Sequence, residues 1–135
     1  MNDPATIRRL LTEAPTWAVV GLRDNPARTA YDIAAYLQRL GRRIVPVHPA
    51  AETVHGERGY ATLADIPFPV DVVDVFRNSD TAGESADEAI AIGAKAVWFQ
   101  LGVVDTAAAA RVEAAGLAMV MDTCPAIEAP KLGIV

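Results

Sequence analysis

Residues 19–37 read VVGLRDNPARTAYDIAAYL and join three patterns in one stretch. An apolar run ends at Gly21, a polar loop follows, and Ile33, Tyr36, Leu37 and Leu40 then recur along one helical stripe. A strand that runs through a glycine turn into a helix is the opening of a βα unit. The turn starts as a dinucleotide-binding turn does and then departs from it. The second and third glycines of G-x-G-x-x-G are absent, and Arg23, Asn25, Pro26 and Arg28 stand there.

Working outward, the same alternation continues. Asp3-Pro4 forms a cap and first-turn pair for a helix over PATIRRLLTEA, which places Ile7, Leu10 and Leu11 on one face. TWAVVG is a short buried strand. Thr29 is expected to cap the second helix, which stops at Gly41. RRIVPVHP reads as a second strand whose Pro46 suits a sheet edge or a strand end. Residues 50–69, punctuated by Gly56, Gly59, Pro67 and Pro69, form a loop with a single helical turn at TLADI. VDVVDVF, AKAVWFQLG and LAMVMD are three further strands, and SDTAGESADEAIAIG and DTAAAARVEAAG are the helices between them. Short apolar strands alternating with helices specify an α/β fold. The expected architecture is a Rossmann-like, doubly wound sandwich with a five-stranded, mainly parallel sheet flanked by helices.

The composition agrees with one domain over residues 1–135, with the helix of residues 1–15 packed on it. The chain is 52% apolar with a mean hydropathy of +0.21, which describes a globule with a real core. No apolar stretch approaches the roughly 18 residues of a spanning helix, so a cytoplasmic protein without a membrane partner is expected. One cysteine, Cys124, excludes an internal disulfide framework. The net charge of −5 argues against a nucleic-acid partner. That charge is uneven: residues 1–50 hold seven Lys/Arg and four Asp/Glu, residues 51–135 five and thirteen. The first half reads either as ordinary solvated helix faces or as a cationic end suited to a small polyphosphate.

In an open parallel sheet, ligands bind beyond the carboxyl ends of the strands. Five segments lie there: GLRDNPAR (21–28), VHP (47–49), FRNSD (76–80), QLG (100–102) and DTCP (122–125). In the first, the amides that open the helix near Thr29 favour an anion, and Arg23 and Arg28 offer charge-assisted contacts. A plain strand–helix turn with two solvated arginines is the alternative. The second strand ends in Val47-His48-Pro49, with no carboxylate before Glu52 to hold the ribose of NAD. His48 and His55 are the two histidines and lack acidic partners at helical spacing, so no metal site is expected. Ser79 and Ser85 are explained by capping and solvation, and Asp71 and Asp74, three apart on a strand, face opposite sides. No nucleophile–base pair emerges, and no catalysis is expected. Cys124 is either an inert buried thiol or a redox thiol at the pocket rim, its reactivity raised by Arg77 or a helix N-terminus and lowered by Asp122.

From about Thr16 to the C-terminus, the chain resembles the small stand-alone CoA-binding proteins. These are similar in turn to the N-terminal CoA-binding domain of the succinyl-CoA synthetase alpha subunit. The stretches that carry the resemblance are VVGLRDNPARTAYDIAAYLQRLGRRIVPVHP, DIPFPVDVVDVFR, EAIAIGAKAVWFQLGV and AAGLAMVMDTCPAIE. It implies a Rossmann-like domain that holds coenzyme A or an acyl-CoA, with the phospho-ADP part over the first loop and the end of the second strand. By position, Gly21, Arg23, Arg28 and Thr29 would face the phosphates, with Asn25 in the same loop, and His48 and Pro49 the nucleoside. Val75, Phe76 and Arg77 would line the pantetheine path, with Gln100 and Gly102 nearby. Where the family's second strand often ends in Asn-Pro, this chain has His48. The phosphohistidine and nucleotide-activating parts of the synthetase belong to further domains, so thioester ligation by these residues alone is not expected. An NAD(P)-dependent oxidoreductase and a nucleotide-sensing domain with an unknown protein partner are the alternatives.

Overall fold

The computed structural model describes residues 1–134. Its helices are α1 (Pro4–Glu13), α2 (Thr29–Arg39), α3 (Ser79–Ala91), α4 (Thr106–Ala114) and α5 (Pro125–Lys131). Its strands are β1 (Thr16–Val20), β2 (Arg43–Val47), β3 (Val72–Val75), β4 (Ala96–Phe99) and β5 (Ala118–Val120), with one 3-10 turn at Leu63–Asp65. The strands form a single sheet in the order β2-β1-β3-β4-β5, every pair parallel. This is the Rossmann-like α/β architecture that the alternation predicts. The strand order reverses between β1 and β3, and that switch opens a crevice at the carboxyl end of the sheet.

The strands are buried on both faces, so they read as nearly continuous apolar runs. On one face Ala18, Val20, Val73, Val75, Val97 and Phe99 pack under α3, α4 and Leu63. On the other, Trp17, Val19, Val72, Trp98 and Val120 pack under α1, α2 and α5. Trp17 and Trp98 lie 5.5 Å apart there, each giving its indole N–H to a backbone carbonyl, of Ala14 and Thr123 respectively. The α3–α4 face is built mainly from alanines, which lets these helices come close: a Cβ on Gly83 would stand 3.1 Å from an Asp105 carboxylate oxygen.

Pro46 is accommodated as the sequence suggests, because β2 is an edge strand. Its carbonyl accepts the Tyr60 N–H at 2.9 Å, so the 50–69 loop returns to cover part of that edge. The opposite edge is closed by the N-terminus. The Asn2 side-chain amide donates to the Met121 carbonyl and its oxygen accepts the Met121 N–H, both at 2.8 Å.

Two local readings need correction. Thr29 is the first residue of α2 and not its cap; Arg28 occupies the cap and offers no side-chain acceptor. The last helix, α5, has no counterpart in the pattern read from the sequence. Pro125 at its first position was a start signal, but Pro130 stands inside the same seven residues and broke the pattern.

The Asn2 clamp should be measurable in stability. Asn2→Ala is expected to lower the unfolding free energy by about 1–2 kcal/mol, the worth of two partly buried hydrogen bonds. Urea titration should show a lower midpoint at an unchanged slope. An unchanged midpoint would mean that the clamp contributes nothing to edge closure.

Candidate functional site

The site forms where β1 ends. Gly21 turns the chain at φ +96°, and a Cβ there would lie 2.5 Å from the Phe76 carbonyl oxygen and 3.3 Å from the Phe76 Cβ. Glycine is therefore required twice, for the dihedral and for the close approach of the loops after β1 and β3. Two cavities open on either side of this contact, and Gly21, Arg28 and Phe76 line both.

The first cavity, about 400 Å³, lies between the ends of β2, β1 and β3. His48, Pro49, Arg28, Phe76 and Arg77 line it, joined by Ala61–Leu63 of the long loop and by Ser85 and Glu88 of α3. His48 Nδ1 accepts the Ala50 N–H at 3.0 Å, so that nitrogen carries no proton. Burial, reinforced by the positive charges of Arg23 and Arg28, lowers the imidazole pKa from its ordinary value. The ring is thus a neutral tautomer with Nε2–H as its donor. Arg77 donates to Ser85 Oγ at 3.2 Å and pairs with Glu84 at 3.3 Å, which aims its guanidinium along the cavity wall. Ser85, expected to be a solvated helix residue, is instead buried, because α3 turns that face towards the cavity.

The second cavity, about 510 Å³, lies between the ends of β1 and β4 and helices α2 and α5. Thr29, Ala30, Gln100, Leu101, Val103, Cys124 and Ile127 line it with the three shared residues. Beneath Gln100 lies Asp74, fully buried in the centre of β3. Gln100 Nε2 donates to Asp74 Oδ1 at 2.6 Å, while Oδ2 has no partner among the described residues. Burial raises the Asp74 pKa to about 7, against the opposing pull of Gln100. Asp71 plays an unrelated part at the other end of the sheet, accepting the Thr16 N–H and pairing with Lys95.

Not every residue singled out from the sequence reaches a cavity. Arg23 is tied to Glu52 at 3.0 Å and lines neither. That ion pair, with the Asp24 N–H, holds the Glu52 carboxyl below its ordinary range. Asn25 shapes the loop, its side chain accepting the Ala27 N–H. Val75 is wholly inside the core, and Gly102 takes up φ +83° and gives its N–H to Asp122 at 2.7 Å. Of the two readings of the charge-rich first half, a cationic end gains little support, since its arginines are not gathered at one place. Arg42 reaches the Ala14 carbonyl and Arg43 opens β2, both at the opposite end of the sheet.

Cys124 lines the second cavity, and of the groups expected to govern its thiol the helix N-terminus does act on it, through the opening amides of α5, while Arg77 and Asp122 do not. Burial pushes its pKa up, with the charges of Asp74 and Glu128 adding to this and the N–H groups of Ala126 and Ile127 opposing. Arg77 is engaged in the first cavity, and Asp122 is held by Gly102. The residues that sequence reasoning missed, Ala61–Leu63, Glu88, Val103 and Ile127, are ordinary loop and helix types brought to the site by tertiary packing. Asp74 alone carried a signal, as an acid in the middle of an apolar strand.

Two adjoining clefts thus open at the switch point of a parallel sheet, one of them lined by Arg28, Arg77 and His48. Residues 15–130 match the CoA binding domain family, and the chain belongs to that family. It is 33% identical over 126 residues to the Bacillus subtilis protein YneT, covering 92% of this chain and 93% of YneT. A solved protein of Pyrococcus horikoshii is 35% identical with a TM-score of 0.90, over 96% of this chain and 92% of that one. The Korarchaeum cryptofilum dinucleotide-forming acetyl-coenzyme A synthetase shares the fold at 22% identity and a TM-score of 0.71. The likeness spans 84% of this chain and 27% of the synthetase.

Asp74 makes a test of this electrostatics. Its folded pKa, about 7, lies above the 3.8 of an ordinary aspartate, so between about pH 4 and 7 the native state keeps a proton that the unfolded chain loses. Stability from this group is full below pH 4 and is lost as pH rises through 7. Across that window wild type should lose on the order of 4 kcal/mol relative to Asp74→Asn, with no further divergence above about pH 8. Parallel stability curves for the two proteins would show that Asp74 is ionised in the fold.

Proposed function

We propose that this chain is a CoA-binding module that holds coenzyme A, or a thioester of it, through both halves of the ligand and performs no ligation itself. The observation that carries the reading is the pair of cavities meeting at Gly21, Arg28 and Phe76. The phospho-ADP part occupies the first, with Arg28, Arg77 and the opening amides of α2 towards its phosphates and His48 and Pro49 beside the nucleoside. Phosphate oxygens accept from the guanidinium groups in charge-assisted bonds, and the His48 Nε2–H supplies a neutral donor. Pantetheine passes over Phe76 towards Gln100, so the sulfur end enters the second cavity near Cys124. Gly21 serves this path by having no side chain at the crossing point.

NAD is a poorer fit. The first carboxylate after β2, Glu52, is already paired with Arg23 and does not line the cavity that the adenosine would occupy.

Coenzyme A is expected to raise the melting temperature of the purified chain more than NAD or ATP at equal concentration, since a ligand that binds only the native state stabilises it. Arg28→Ala should weaken CoA binding by about 1–3 kcal/mol, the range for hydrogen bonds to charged groups. Arg23→Ala should weaken it less, because its guanidinium is committed to Glu52. Calorimetric titration decides: stronger stabilisation by NAD, or an unchanged affinity in Arg28→Ala, contradicts this reading.

The Cys124 thiol gives a second check. A thiolate there attacks one sulfur of CoA disulfide, forming the Cys124–CoA mixed disulfide and releasing one CoA thiolate. Because burial raises this thiol's pKa, adduct formation should be slow at neutral pH and should accelerate above the ordinary cysteine range. Intact-mass spectrometry across pH, with Cys124→Ser as control, reads it directly. An adduct of equal mass on the Ser variant would remove Cys124 from the ligand path.

A further inference from the structure

We propose that the second cavity is an acyl chamber, built for the apolar, uncharged acyl group of a CoA thioester. This rests on the CoA reading above and adds the class of thioester.

The two cavities differ in chemistry. The first is lined by His48, Arg77 and Glu88 in addition to the shared Arg28. In the second, Arg28 at the junction is the one charged residue of the wall, and Ala30, Leu101, Val103 and Ile127 supply apolar surface beyond it. Leu101 is 64% exposed and Ile127 37% exposed, and Val104, close by in the chain, is 44% exposed. Met1 is the fourth large apolar residue so exposed among the described residues, so three of the four belong to this cavity's mouth or its neighbouring turn. Single exposed apolar residues need no explanation, but a group at the rim of a cavity marks surface that a ligand covers.

The direction of the ligand follows from the same contrast. Phosphates belong with the arginines of the first cavity, so the sulfur end, and whatever it carries, points into the second. There the polar wall is Gln100, Thr29 and Cys124, none of them a cation. An acyl group with a second carboxylate would find no countercharge beyond Arg28, which the phosphates already use. Below the floor, Gln100 is held by Asp74, whose unpartnered oxygen would repel an anion when ionised. A hydrocarbon acyl group meets none of these penalties and covers Leu101 and Ile127.

The test is calorimetric titration of the chain, under reducing conditions, with CoA, butyryl-CoA, hexanoyl-CoA and succinyl-CoA. A fully buried methylene tightens binding roughly fourfold, so partial burial of the chain should make hexanoyl-CoA about tenfold tighter than free CoA. Butyryl-CoA should fall between, and succinyl-CoA should bind no tighter than CoA. Leu101→Asp and Ile127→Asp, both at exposed positions that folding tolerates, should each bring the hexanoyl-to-CoA affinity ratio towards one. Equal affinities for CoA and hexanoyl-CoA, or a preference for succinyl-CoA, would overturn the chamber while leaving CoA binding intact. Failure of every CoA species to bind would overturn both readings.

Discussion

The site depends on one steric fact: the backbone of Gly21 lies against the carbonyl of Phe76 with no room for a side chain between them. This contact sits where the strand order reverses between β1 and β3, so it fixes how close the first two loops of the crevice come. Hydrogen bonds on both sides lock it. The Gly21 N–H donates to the Val47 carbonyl at 2.8 Å, and the Phe76 N–H to that of Val20 at 2.9 Å. The ends of β2, β1 and β3 are therefore held in one rigid line. A side chain at position 21 would collide with the Phe76 carbonyl and force these loops apart. The G-x-G-x-x-G turn solves a different problem, letting a pyrophosphate approach the backbone; here a single glycine lets two pieces of backbone approach each other.

From that contact outward, the site manages charge by pairing or removing it. Arg23 and Glu52 cancel, Arg77 shares its charge with Glu84, and His48 is kept neutral by burial and by its neighbours. Arg28 is left with no carboxylate partner among the described residues, at the junction that both cavities share. An unpaired guanidinium at a helix N-terminus adds to the partial positive charge of the helix amides, which concentrates anion attraction at one point. Asp74 takes the opposite course: it has no cation, and burial moves its titration up to neutrality.

Much of this architecture was legible in the sequence, because strand burial on two faces and helical spacing leave strong patterns. The stretches TWAVV, VVDV and AVWF are apolar enough to declare themselves, and Pro46 announced an edge. The site was legible to a lesser depth. Gly21, Arg28, His48, Pro49, Phe76, Arg77, Gln100 and Cys124 do line the crevice, since position after a parallel strand suffices to bring them there. Arg23 and Val75 do not, for reasons that no spacing rule contains. A distant Glu52 captures the first, and the second is the last residue of β3, with its side chain packed into the core. The α3 and α5 residues escaped because a helix shows which face is apolar but not which end of that face meets a ligand.

Asp74 shows how a local rule can be right and still miss the role. Three residues separate it from Asp71, and the two do serve different places, as strand alternation requires. Yet the more informative feature was its company. A carboxyl between Val73 and Val75, in the central strand of a sheet covered on both faces, must either find a cation or stay protonated. No cation among the described residues pairs with it, and its side-chain hydrogen bond there comes from Gln100, a residue of the cavity wall. A buried acid that costs stability and braces a wall side chain is not explained by folding alone. Its carboxyl fixes which hydrogen of the Gln100 amide is occupied, and so fixes how that amide meets the cavity. Asp74 and Gln100 thus tie the centre of the sheet directly to the wall of the second cavity.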